Sequence, residues 1–258
     1  MKMNRRFLAG LFVLVSVVLG TNSAQAVTQT LTFNATADNA YAIYMGTATS
    51  ATQSVGGAAN FSTNSQIFTP ESYTTTAQDT DYIYIAAWSD HAVKQGFLAD
   101  ITDLGTGFRT FSGGPSPWLV TATGINLSTS SPAPTLADIT TQIGLANAGT
   151  NPSGGWNSVT PSALTNFQGG IHGVVVSGIA SNASWMWWNS GNDPSAEAPF
   201  SPGFNHSEYL IFRLPVFATS AHPPIDPVDV PTLPEWAAII MATLLMGLAI
   251  RAQARNRV

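Results

Sequence analysis

The chain of 258 residues contains no cysteine. That excludes thiol catalysis, cysteine-ligated zinc and disulfide staples, so the fold must hold by burial, which roughly 200 residues can supply. Charge is scarce as well, at 9% of residues. Cations are the scarcer sign. Between Val27 and Val230 the only lysines and arginines are Lys94, Arg109 and Arg213, three against thirteen acids, for a net charge of −10 with histidine neutral. Nucleic-acid binding needs a basic footprint, and this span has none. Such an acidic balance suits solubility, divalent cations or a hydrated matrix. Signature motifs are missing too: no Gly-x-Ser-x-Gly, no His-Glu-x-x-His, no P-loop and no complete Gly-x-Gly-x-x-Gly.

Apolar runs of full membrane-spanning length, about 20 residues, are also lacking. Two shorter ones stand at the ends. Lys2, Arg5 and Arg6 precede Phe7–Leu19, which carries no charge, and Ala24-Gln25-Ala26 offers a small-x-small cleavage site. Gly20, Thr21, Asn22 and Ser23 break any helix between them. This pattern predicts a signal peptide over residues 1–26, removed before Val27. Export from the cytoplasm is the expectation.

At the other end, Trp236–Ile250 carries no charge and is closed by Arg251, Arg255 and Arg257. A helix of that length is about 22 Å long against a hydrocarbon core of about 30 Å. It spans only with local thinning or with snorkelling arginines. The arginines predict a cytoplasmic stop with the body outside. Ahead of the run stands Val230-Pro231-Thr232-Leu233-Pro234-Glu235-Trp236. This motif, apolar helix and basic end together resemble the IPTL-CTERM sorting tag, a relative of the PEP-CTERM tags. The resemblance covers about the last 28 residues, and it departs at Val230, where Ile is usual, and at Ala237, where Gly often follows the Trp. It implies an exosortase-type transpeptidase as partner at the inner membrane of a Gram-negative bacterium. The expected route is an anchored intermediate, then the cell surface or extracellular matrix, the tail being a removable handle.

Residues 27–222 are rich in Thr, Ser, Gly, Asn and aromatics, with short apolar runs between turn residues. The pattern predicts an all-β sandwich. Strands are expected at Leu31–Ala37, Tyr41–Met45, Asp81–Trp88, Gly96–Ile101, Trp118–Thr123, Ile171–Ser177, Trp185–Trp188 and Tyr209–Phe217. In the second, Tyr41, Ile43 and Met45 share one face. Asp81–Trp88 reads as buried on both faces. One amphipathic helix is expected over Thr135–Ala148, with Thr135 and Asp138 as a capping box and Gly149 as its stop. Residues 223–230, rich in proline, form a stiff linker to the tag. Asn34–Tyr44, Asp81–Asp90 and Glu208–Pro215 resemble elements of galactose-binding-like jelly rolls, many of which bind carbohydrate and carry a structural calcium.

Two sets of side chains suit a ligand. In the Trp185-Met186-Trp187-Trp188 strand, alternation places Trp185 and Trp187 on one face, leaving Trp188 on the other. With Trp118 and Trp156, in Gly/Pro/Ser-rich loops, Trp188 offers a flat ring for a sugar face. Asp38, Asp90, Asp100, Asp103 and Glu208 are oxygen donors suited to calcium, the one cofactor the composition favours. His206 lies on one strand face with Glu208, and His91 follows Asp90. The reading that results is an exported, non-enzymatic protein of the envelope or extracellular matrix. Its rivals are a carbohydrate-binding module for extracellular polysaccharide, calcium-dependent or not, and a hydrolase using two carboxylates.

Overall fold

A computed structural model describes residues 26–58, 67–90, 94–128, 130–190, 200 and 208–219. The signal segment, the proline-rich linker, the sorting motif Val230–Trp236, the arginines 251, 255 and 257, and both His91 and His206 lie outside the described residues. Twelve strands run β1 (Thr28–Asp38), β2 (Ala40–Gly46), β3 (Ala51–Ala58), β4 (Glu71–Gln78), β5 (Tyr82–Trp88), β6 (Gly96–Asp103), β7 (Arg109–Phe111), β8 (Leu119–Ala122), β9 (Asn157–Ser158), β10 (Thr160–Thr165), β11 (Ser184–Trp187) and β12 (Leu210–Pro215). One helix, α1 (Leu136–Ala148), lies between β8 and β9.

The strands form two six-stranded sheets, one ordered β10-β11-β6-β1-β4 with β7 on β6, the other β3-β2-β5-β12-β8-β9. Every pairing is antiparallel. Between the sheets lies a core in which Leu31, Phe33, Phe97, Ala99 and Ile101 of the first meet Tyr41, Ile43, Ile85, Val120 and Phe212 of the second. The fold is a β-sandwich.

Alternation explains why both faces of β2 and β5 are apolar. Tyr41, Ile43 and Met45 point into the central core, while Ala40, Ala42 and Tyr44 join Tyr84, Ala86 and Trp88 on the outer face. Ile139 and Ile143 of α1 cover that outer face. The helix starts where its caps dictate. The Thr135 hydroxyl accepts from the Asp138 amide at 3.2 Å, the Asp138 carboxylate accepts from the Thr135 amide at 2.8 Å, and Gly149 closes the far end at φ 68°.

The segment Ile171–Ser177, expected as a strand, is a 3₁₀ turn at Gly170–His172 followed by loop. Its backbone finds side-chain partners instead of a ladder. Buried Asn166 donates to Val176 O at 2.9 Å and Ile179 O at 3.1 Å and accepts from the Val176 amide at 2.8 Å. This loop packs Ile171, Val176 and Ile179 over Leu98 and Trp185 on the outer face of the first sheet. Period two also fails in β11. Met186 and Trp187 both join the central core and Trp185 goes to the outer cluster, beside a β10–β11 pairing whose register shifts between Pro161 and Thr165.

Candidate functional site

The chain passes from the first sheet to the second at Asp38-Asn39, joined by a cis peptide. That corner gathers the most chemically loaded side chains in the described residues. Asp38 ends β1 opposite Gly96, the first residue of β6. The Asn39 side chain accepts from the Asp90 amide at 2.6 Å and its own amide donates to Trp88 O at 3.2 Å, tying the corner to the end of β5. Just before β6, Lys94 donates to Ile171 O at 2.5 Å and so holds the 3₁₀ turn. His172 in that turn brings Nε2 to 3.5 Å from Asp38 Oδ2.

Burial shapes the titration of both groups. Asp38 and His172 expose only 10% and 12% of their side chains. Burial, reinforced by the Asp90 charge and opposed by Lys94, pushes the Asp38 carboxyl up from 3.8 to about 7. The same burial, with Lys94 adding to it, holds the His172 imidazole down from 6.5 to about 4. Near pH 6 the carboxyl therefore keeps its proton and the ring is neutral. Among the described residues His172 Nε2 is buried without a hydrogen bond, the Asp38 carboxyl standing 3.5 Å away, and the ring rests edge-on against Trp185, centroids 4.9 Å apart, and against Phe68 at 5.7 Å. Glycine is required beneath it, since a Cβ on Gly170 would stand 2.5 Å from Trp185 Cδ1.

The other expected ligand residues are placed elsewhere, and most serve the fold. Asp100 is fully buried, paired to the Arg109 guanidinium and accepting the Ala180 amide at 2.9 Å. Asp103 caps its own turn through Gly105 N at 2.9 Å and Thr106 Oγ1 at 2.7 Å. Glu208 accepts the Gly124 amide at 2.5 Å. Asp90 is exposed at the corner near Asp38. The five acids thus form no single calcium cage, and among the described residues no three His, Asp or Glu side chains lie close enough to hold a metal.

Trp118 is not an exposed loop ring. It is 4% exposed, its indole N–H donates to Phe111 O at 3.2 Å and its ring lies edge-on to Phe97. Burying so large a ring outweighs the polar loop around it. Trp156 is half-buried, and its faces are taken: the Arg213 guanidinium stands 4.0 Å above its centroid, Tyr84 lies 6.2 Å away, and its N–H donates to Asn147 Oδ1 at 2.8 Å. This stack rivets the β8–β9 connection to the second sheet. Arg213→Ala should therefore lower stability by about 1 kcal/mol, the scale of a partly shielded cation–π contact; an unchanged unfolding midpoint would remove the rivet. Trp188 is half-buried on the central core, just past β11.

Sequence reasoning missed His172 and Lys94 as partners of Asp38. No local signal links them, because the contact is made by topology alone. Searches of family models, of curated proteins and of solved structures find no match to the chain.

Proposed function

We propose that this chain is an exported, non-enzymatic protein of the cell envelope or extracellular matrix, sorted by its C-terminal tag through an exosortase-type transpeptidase at the inner membrane. The observation that carries this reading is the pairing of the two ends. One is a basic start, an uncharged run and Ala24-Gln25-Ala26; the other is Val230–Trp236, an apolar run and Arg251, Arg255 and Arg257. The body between them supports it. Its aromatics and most of its candidate acids are engaged in packing, capping and ion pairing, as a self-supporting matrix module requires. We assign the sandwich a jelly-roll-like wiring, since the chain crosses between sheets at β1–β2, β3–β4, β4–β5, β5–β6, β7–β8, β9–β10 and β11–β12.

Fractionation of producing cells with mass spectrometry of the mature termini tests the proposal. The expected product starts at Val27, lacks the arginine-ended tail and is found at the surface or outside. A cytoplasmic protein with its tail intact overturns it.

A second reading, binding of extracellular polysaccharide, is favoured by one placement. Asp38 and Asp90 share the corner beside the start of β6, and antiparallel pairing of Met186 with Phe97 carries Trp188 to that same end. Glycan binding measured with and without EDTA separates calcium-dependent from independent capture, and no binding to the producer's own polysaccharide discards this reading.

A further inference from the structure

We propose that Asp38 and His172 form a proton-compensated anchor that keeps the Gly170–His172 turn fixed to the β1–β2 corner equally well throughout mildly acidic and near-neutral pH.

The turn has attachments besides this pair. Gly169, Gly170 and Gly173 all take positive φ, at 83°, 55° and 71°, the left-handed backbone that brings His172 against the corner while Gly170 packs on Trp185. Its outer residues, Phe167 and Val175, are 76% and 56% exposed and add little burial. It is held by Ile171 in the outer cluster, the edge-on packing of the His172 ring on Trp185 and Phe68, the Val174 amide bond to Gly169 O, the Lys94 bond to Ile171 O, and the approach of His172 Nε2 to Asp38 Oδ2 at 3.5 Å.

An acid and a base in buried contact make an unusual anchor. With the turn closed, the low-polarity site favours the uncharged forms, a carboxyl O–H facing an unprotonated ring nitrogen. With the turn open, both groups regain water and the proton resides on the imidazole, leaving carboxylate and imidazolium. Each form of the pair holds one ionisable proton. Opening therefore releases and takes up none, and its equilibrium does not depend on pH. Among the described residues, the charges facing the pair are Asp90 from the end of β5 and Lys94 from the approach to β6; they oppose each other at Asp38.

The limits follow from the individual shifts. Asp38 alone, raised to about 7 from 3.8, favours the closed turn at low pH and loses that advantage as pH rises through this interval. His172 alone, lowered to about 4 from 6.5, disfavours the closed turn at low pH and gains as pH rises. Between about 4 and 6.5 the slopes are equal and opposite. Either residue without the other becomes a pH switch.

The experiment is hydrogen exchange of the amides from Gly169 to Val176 in the detergent-solubilised full chain between pH 4 and 7, corrected for intrinsic rates. Wild-type protection should stay level within about threefold. Asp38→Asn should lose protection by about tenfold per unit as pH falls below 6.5, and His172→Gln by about tenfold per unit as pH rises from 4. The double variant should be level again. A wild-type slope near tenfold per unit, or a single variant as level as wild type, overturns the proposal. Should either variant fail to fold, nitrogen NMR of His172 in the wild type decides: a neutral ring at pH 5.5 is required, and an imidazolium there rejects the pairing.

Discussion

Phe212→Ala should cost about 3–5 kcal/mol of folding stability, the largest loss expected of any single change discussed for this protein. Phe212 is fully buried in β12, flanked by Ile85 of β5 and Val120 of β8. Its ring stacks on Phe97 of the facing sheet, centroids 5.7 Å apart, and lies 6.2 Å from Trp187. Phe97 in turn touches Tyr41 and Trp118, so this pair joins the two sheets within an aromatic cluster of the central core. Truncation removes the transfer free energy of the ring, opens a cavity between sheets that cannot collapse independently, and forfeits an aromatic contact of about 1 kcal/mol. Phe212→Leu should recover more than half the loss. Urea unfolding followed by near-ultraviolet circular dichroism provides the measurement, and a loss under about 1 kcal/mol for the alanine variant contradicts this picture of the core.

Arg109→Ala should come next, at about 3 kcal/mol. Asp100 has no exposed side-chain surface, whereas Arg109 is 52% exposed. The asymmetry matters. Deleting Arg109 leaves a buried carboxylate with the Ala180 amide and whatever water reaches it, while deleting Asp100 frees a guanidinium that solvent can satisfy. The loss sits at the lower end for a broken buried pair because the opening left by arginine admits water. Replacing both residues with leucine should cost less than Arg109→Ala alone, since no buried charge is then stranded. A double variant less stable than the single one contradicts the argument.

How far the sequence reveals this fold depends on whether the signal is local. The helix is legible because Thr135, Asp138 and Gly149 fix its ends within its own few residues. Strand β2 is legible from alternation, and β5 from its continuous apolar run, because each has a helix or a sheet on either side. Strands β3 and β4 escape notice. Their segments, Ala51–Ala58 and Glu71–Gln78, are mostly threonine, serine, glycine and glutamine with outward faces in solvent, so no apolar rhythm marks them. Ile171–Ser177 has strand-like composition, but Asn166 captures its backbone groups before a ladder can. Loop composition suggests exposure at Trp118, whereas packing on distant Phe97 and the indole bond to Phe111 O decide it. At the corner, Asp38 is visible as an acid at a turn. What gives it a raised affinity for its proton is burial, with the Asp90 charge adding to it, and that burial belongs to the folded topology.

All three basic residues of the body are committed inward or sideways: Lys94 to a carbonyl, Arg109 to a buried carboxylate, Arg213 to an indole. None projects as a free counter-charge, so copies of the body present like-signed exteriors to one another. At low ionic strength this gives a positive osmotic second virial coefficient: molecules keep their distance and draw in mobile counterions and the water that accompanies them. A dense layer of such bodies would swell rather than precipitate, and added salt would shrink it.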